Sequence, residues 1–412
     1  MAAVLRWGVK IRFTAVQFTA IVMAFGVFTP SGFSQIRFQI PDQAFTKADF
    51  WEESAFTGEF LPKESPTHHA LKAWSERPDV FEAPTHGIWG RFIDDKLLSL
   101  TVLFLDSGTH FGYVPKENVA ETEVSHRKRF KELFTQVDQR VEAGLISLSE
   151  GKKPTAVSLG KSPMLMQEVL IYKTGNLYAR LHRVDEQLIK VTWFKSLKEA
   201  QTWGEINVSP DFSTAAKKEK NGDFVIFGIP ILPQGDRAYC GVSALAMVTQ
   251  YLGVSAETED YAAAAGIRYG STKGSFIREV YDAAADEAGF RLEILPTVNG
   301  QVIKQSISAG IPIVVWRRWN QQRDFLHSVF LKKFKKNPES TLPEPSANDR
   351  VSWPDQNSYN HASVITGFNA ARNEVIFTES WSESVRNRRM RLEEMTETSY
   401  AAFVFHPGGP KK

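Results

Sequence analysis

Along "GIWGRFIDDKLLSLTVLFLD", Gly87 to Asp106, apolar residues fall on alternate positions either side of Asp94-Asp95. That spacing takes one face of an extended chain out of water and predicts a hairpin of two strands. The period then changes. In "SHRKRFKELFTQVDQRVEAGL" the residues Phe130, Leu133, Phe134, Val137 and Val141 recur at helical spacing, which predicts an amphipathic helix stopped near Gly144. "QEVLIYKTGNLYARLHRVDEQLIKVTWFK" returns to alternation and predicts three strands that turn at Thr174-Gly175-Asn176 and Asp185-Glu186. Strands, helix and strands make a small α+β domain over residues 87–210. Ahead of it, residues 35–86 carry Trp51, Phe56, Phe60 and Trp74 among prolines and hydroxyl residues without a clear period, an aromatic lead-in.

The polar, lysine-rich stretch "SPDFSTAAKKEKNGD" reads as a boundary, with a second domain over residues 222–412. This domain opens with helices: Cys240–Leu252 stopped by Gly253, an alanine-rich helix ending at Gly266, and a third ending at Gly289. "RLEILPT", "QVIKQSISAG" and "IPIVVWRRW" follow as strand, helix and strand; "HASVITGF", "EVIFTESW" and "YAAFVFH" close the chain as strands. Helices first and sheet afterwards make another α+β arrangement. Between them, prolines and mixed charges from Lys332 to Asn360 predict a long loop of the kind that serves as a lid, ending beside His361.

Composition narrows the class. Hydrophobic residues make up 42% of the 412, enough for two cores and against disorder. Arg6, Lys10 and Arg12 precede an apolar run from Phe13 to Phe28, and Gly32-Phe33-Ser34 offers small residues before Gln35. This is the pattern of a signal peptide over residues 1–34, which implies export to a periplasm or the medium; an uncleaved anchor is the alternative. Removing that segment takes the formal charge from +2 to −1, leaving no basic excess to bind nucleic acid. The single cysteine excludes an intramolecular disulfide framework. No cofactor motif is present, and the sequence leaves the oligomeric state open.

That lone thiol heads an apolar helix in "PQGDRAYCGVSALAMVTQYLG". A cysteine attacks as thiolate, and a helix N-terminus with a nearby imidazole favours that form. His361 opens one strand and Glu379 ends the next, so an antiparallel hairpin sets them side by side. Gln234 lies just before the helix, where its amide can turn back as a donor for an oxyanion, beside the backbone N–H of Cys240.

Gln234-Gly235, Cys240 at the head of a helix, His361 opening a strand and "ESW" ending the next resemble the papain-fold cysteine peptidases. They are most similar to the bacterial double-glycine, bacteriocin-processing peptidase-like family, over about Phe227 to Pro407. The resemblance implies Cys240 as nucleophile, His361 as base and then acid, Gln234 as oxyanion donor, Glu379 as the group orienting the histidine, and an extended peptide or protein as substrate. In the family, Asn or Asp precedes "SW" and Gly follows it; here the residues are Glu379 and Ser382. A catalytically inactive peptide-binding module and a transglutaminase-like amide exchange fit the same residues.

Other candidates have plainer explanations. His327 in "DFLHSVFL" reads as a packing residue, and His68-His69 lacks metal-ligand neighbours. "GSTKG", Gly270 to Gly274, lacks the spacing of a phosphate loop. "RNRRMR" reads as a solvated strand face.

Overall fold

Alternating hydrophobicity becomes strand wherever it was read between Gly87 and Phe194, and the strands join into one antiparallel sheet. The computed structural model describes residues 40–52, 69–73, 77–93, 96–112, 118–203, 212–267 and 277–407. The signal segment, the Asp94-Asp95 turn, His68 and Gly270–Gly274 lie outside these. Seven strands form the first sheet: β1 (His69–Ala73), β2 (Gly87–Ile93), β3 (Lys96–Asp106), β4 (Thr155–Leu159), β5 (Gln167–Thr174), β6 (Leu177–Val184) and β7 (Leu188–Phe194). Their order across the sheet is β1-β2-β3-β7-β6-β5-β4.

Side chains that alternate in direction along each strand give this sheet two covered faces, and β7 is buried along its whole length. Ile189, Val191 and Trp193 of β7 share a core with Phe130, Phe134, Val137 and Val141 of the helix Val119–Leu148. Phe45 and Trp51 join that core, so chain from the aromatic lead-in packs into this unit. The intervening positions face the other way: Phe194, Val169 and Ile171 belong to the core of the C-terminal unit. Gly144 does not stop the helix, which continues to Leu148. A Cβ at position 144 would meet the Phe81 ring at 2.3 Å, so the glycine is there for close packing.

The second sheet has eight strands. β10 (Arg291–Leu295), β15 (Ser399–His406), β11 (Ile313–Trp319), β12 (Tyr359–Asn369), β13 (Glu374–Thr378) and β14 (Arg388–Arg391) run in that spatial order, and the hairpin of β8 (Ala216–Lys218) and β9 (Phe224–Ile226) adds through β9 to β12. The helices Cys240–Tyr251, Thr258–Ala264, Ile277–Ala288 and Gly300–Ser308 precede or interleave with it, an α+β arrangement. Both sheets lie within one compact unit, Phe38–Lys412.

Three sequence expectations change here. The lysine-rich boundary contains the β8–β9 hairpin, turned at Asn221-Gly222, with Phe212 and Ala215 buried beneath it. Its anchor is Asp223, which pairs with Arg389 while Asn369 donates to it at 2.8 Å. The basic strand is no solvated face: Arg388, Arg389 and Arg391 are all buried. Asp324 takes Arg388, Asp223 and Glu374 take Arg389, and backbone carbonyls of Arg372 and Pro343 take Arg391. Buried guanidinium groups need such partners, and charge alone did not reveal them.

The expected lid is likewise fastened down. Its first residues complete the helix Gln321–Lys336, Leu342 is buried and donates its N–H to Glu374 at 2.8 Å, and Trp353 is buried beside the Arg323–Asp349 pair. A loop with so many backbone anchors is part of the wall rather than a flap.

Candidate active site

Cys240 is the first residue of the helix Cys240–Tyr251, and Tyr239 before it has left helical geometry at φ −100° and ψ 11°. Gly241 to Tyr251 are all buried, which makes the helix a fixed rod with its N-terminal end set in place. Gly253, at φ +96°, lets the chain leave at the other end. Cys240 itself is partly exposed. The residue is therefore held by the core and partly exposed at one side.

The second sheet supplies the other groups. In β11–β12 pairing Arg317 lies opposite His361, and in β12–β13 pairing Val364 lies opposite Thr378, which sets Glu379 beside Ser363. His361 and Ser363 are two apart on β12, so their side chains share one face with Arg317 and Glu379. His361 Nε2 lies 2.7 Å from Glu379 Oε2. Cys240 lies within electrostatic reach of His361, and with Nε2 committed to Glu379 the ring nitrogen left for the thiol is Nδ1.

Glu379 is fully buried and completely occupied. Its Oε1 accepts from Arg317 at 2.7 Å, and the Ser363 hydroxyl, itself accepting from Arg317 Nε at 3.0 Å, donates to the carboxylate at 3.0 Å. A buried carboxylate with two cationic partners stays ionised. Trp381 lies against the imidazole with ring centroids 5.1 Å apart, and the Arg388 guanidinium sits 4.9 Å from its ring centre.

The electrostatics follow. Burial works against an imidazolium at His361, yet the Glu379 charge, the Cys240 hydrogen bond and the Glu379 hydrogen bond outweigh it, raising the group from 6.5 to about 9. Burial also opposes a thiolate at Cys240; the His361 hydrogen bond and charge, with backbone hydrogen bonds from Ala362 and Gly241, overcome it and lower the thiol below 9.0. For Glu379, burial is again the largest opposing influence, and the charges of His361 and Arg317 hold it well below the usual carboxylate range. The set favours a proton on imidazole rather than on sulfur.

Gln234 is brought to the same place from the other side. Its N–H donates to the Ser380 carbonyl at 2.7 Å, its Oε1 accepts from the Ser380 hydroxyl at 2.8 Å, and its Nε2 donates to the Arg237 carbonyl at 2.9 Å. An amide nitrogen has two protons, so one is left to give. Ser380 directly follows Glu379, so the amide is tied to the end of the strand that carries the carboxylate.

Sequence reasoning missed Arg317, Ser363 and Ser380. A signal existed for the first: Ile313, Val315 and Arg317 alternate onto one inward face, and a cation on such a face requires a buried anion. His327, the rival base, is buried on the helix Gln321–Lys336 and bonds Glu394 at 2.9 Å, a carboxylate that the strand pattern did not place beside it. It shares that carboxylate with Arg323 and lies edge-on to Phe377, so it belongs to a buried polar network and is more than a packing residue.

Residues 226–406 match the model of the Peptidase_C39 like family. Over that segment the chain is similar to this family of papain-fold peptidases. The likeness supports a peptidase-like hydrolase at the level of the family. One solved structure, named only provisionally as a C39-like peptidase and coming from Bacillus anthracis, is 13% identical, with 44% of this chain and 96% of that chain covered and a TM-score of 0.30. A likeness of that size carries no argument about the site. No curated protein sequence matches the chain. The matched segment contains Gln234, Cys240, His361 and Glu379, and it begins within β9, so the first sheet lies outside it.

Proposed function

We propose that this protein is a cysteine peptidase that hydrolyses a peptide or amide bond through Cys240, His361 and Glu379, with Gln234 as oxyanion donor. The observation that carries the reading is the bond from His361 to a fully buried carboxylate, with Cys240 at the head of a buried helix within electrostatic reach of that imidazole. In the resting pair, sulfur is thiolate and His361 is imidazolium. Sulfur attacks the carbonyl carbon, and the oxyanion formed takes hydrogen bonds from the Cys240 N–H and the free proton of Gln234 Nε2. The imidazolium gives its Nδ1 proton to the departing amine as the carbon–nitrogen bond breaks, leaving a thioester. Neutral His361 then takes a proton from water, whose oxygen attacks the thioester, and the thiolate leaves. Throughout, Glu379 fixes the ring through Nε2 and stabilises its charge.

An extended peptide or protein substrate follows from the family. Export to a periplasm or the medium rests on the N-terminal sequence pattern, and a mature chain beginning near Gln35 would support it. The two α+β domains of the sequence reading are proposed to work as one enzyme.

Purified wild-type protein and Cys240→Ala incubated with a peptide library test the reading. The wild type is expected to cleave and the variant to be inert while folding normally, because the lost volume is small and the site is partly open. Cleavage that survives the substitution sinks the assignment. Products carrying an added amine in place of water would redirect it to acyl transfer, and binding without turnover in the wild type to a non-catalytic module.

A further inference from the structure

We propose that Asp106, on the first sheet and outside the family-matched segment, is a positioning residue for the nucleophile and the oxyanion donor of the C-terminal unit. The inference rests on the cysteine-peptidase reading of Cys240. Asp106 ends β3 and is 1% exposed. Its own unit locks it: the N–H donates to His86 Nδ1 at 3.1 Å, and Oδ2 accepts from both the backbone N–H and hydroxyl of Thr109 at 2.8 Å. From that fixed carboxylate, two contacts cross to the turn before the helix. Oδ1 accepts from the Tyr239 hydroxyl at 3.1 Å, and Oδ2 lies 3.4 Å from Arg237 NH1.

Both recipients bear on the site. Tyr239 is fully buried and its backbone leads directly into Cys240. Arg237 clamps the turn that carries Gln234: its Nε donates to the Gln234 carbonyl at 2.7 Å and its NH2 to the Pro233 carbonyl at 3.0 Å, while Gln234 Nε2 donates back to the Arg237 carbonyl at 2.9 Å. The guanidinium also lies 4.6 Å from the Tyr239 ring centre, so the two recipients support one another. Glu259 holds the same NH1 at 2.7 Å from the helix behind.

A separate observation gives the contact its specificity. Gly108, two residues after Asp106, has no backbone need for glycine, yet a Cβ there would meet the Tyr239 hydroxyl at 2.1 Å. The sequence leaves out a side chain where the phenol must pass. The turn of the C-terminal unit is therefore keyed, through the buried Tyr239, into a socket of the first sheet formed by Asp106, Gly108 and Thr109.

The test compares Asp106→Asn, Tyr239→Phe and their combination with wild type, and with Glu287→Gln. Glu287 bonds the backbone of Lys161 and Ser162 at another point of the same interface and does not touch the turn. Readouts are kcat and KM on a cleaved peptide, the pH profile of Cys240 alkylation by iodoacetamide, and Tm. Each single variant is expected to lower kcat at least about tenfold with little change in KM, the signature of lost transition-state stabilisation, and to move alkylation toward the profile of an ordinary thiol. The combination should cost no more than the worse single variant, since both act through one contact. Glu287→Gln should change Tm alone. Variants with lowered Tm but wild-type kcat and thiol profile would overturn the proposal by reducing Asp106 to an interface residue. Should Asp106→Asn fail to fold, Tyr239→Phe, which keeps the ring, carries the decision. A wild-type thiol that is itself unactivated overturns the peptidase reading and this proposal together; an activated thiol indifferent to both substitutions overturns this proposal alone.

Discussion

Glu379 holds two cations with its two oxygens, His361 and Arg317, each at 2.7 Å. A longer side chain than the family's Asn or Asp suits that span. Glu379→Asp should therefore lose one partner and lower kcat instead of restoring a better site. Glu379→Gln should lower kcat at least about tenfold, since a hydrogen bond to a charged group contributes about 1.5–3 kcal/mol and 1.4 kcal/mol is a factor of ten. It should also move the basic limb of the kcat/KM profile to lower pH, because the carboxylate helps to hold His361 up at about 9. A limb that stays in place would assign the raised imidazole to Cys240 alone. Stability carries the same sign. With the folded imidazole raised from 6.5 to about 9, its contribution is whole below about pH 6.5 and fades as pH rises through 9. Glu379, lowered from 4.5, contributes above that value and loses it as acid is added. The Tm gap between wild type and Glu379→Gln should be widest at mildly acidic pH and narrow toward alkali. Cysteine, histidine and carboxylate were legible in the sequence because each stands at or near an element's end. Arg317 was harder to see: "IPIVVWRRW" looks like an apolar strand with a wet tip, and only its alternation with Ile313 and Val315 marks the arginine as inward.

Strands and helices with a strong period were legible as elements, and those whose period is carried by charged residues were not. The β8–β9 hairpin is the clearest case: "AAKKEKNGDFVI" looks like solvated linker because its anchor, Asp223 with Arg389, is made across the fold. Arg388–Arg391 was misread for the complementary reason. Breaking such a buried pair leaves one charge uncompensated and costs about 3–5 kcal/mol. Asp223→Asn is accordingly expected to lower stability to urea by that order, with kcat of the folded fraction unchanged because the hairpin lies off the site. A fall in kcat of the folded fraction would mean that the hairpin shapes the cleft. At β12, Gly367 shows what the pattern does signal: a Cβ there would meet the Phe224 carbonyl oxygen at 2.6 Å, so glycine marks where β9 closes on β12.

At the scale of the molecule, the first sheet is joined to the C-terminal unit by a polar interface that no local pattern could announce. Lys190 of β7, buried, meets Asp260 at 2.6 Å and Glu257 at 3.0 Å, and His182 reaches Asp260 at 3.3 Å. Burial opposes the charge on Lys190, but the two carboxylates raise it overall. Lys190→Met would strand both carboxylates, and a loss of about 3–5 kcal/mol in one cooperative transition is expected in urea. Two separate transitions would mean that the units fold independently. The fold class of each half was readable from its periods; their union was not, because it depends on which carboxylate faces which lysine across chain segments far apart in sequence. The whole arrangement converges on one thiol, and the protein has only one, so mass spectrometry of the intact chain reports on Cys240 without ambiguity. The rate of its alkylation by iodoacetamide as a function of pH is the most direct test. A thiolate held by imidazolium reacts rapidly already near pH 6, where a free thiol with pKa about 8.5 is mostly protonated. A rate negligible at pH 6 that climbs in a single step near the free-thiol value would show Cys240 to be an ordinary cysteine, and would contradict its assignment as the nucleophile.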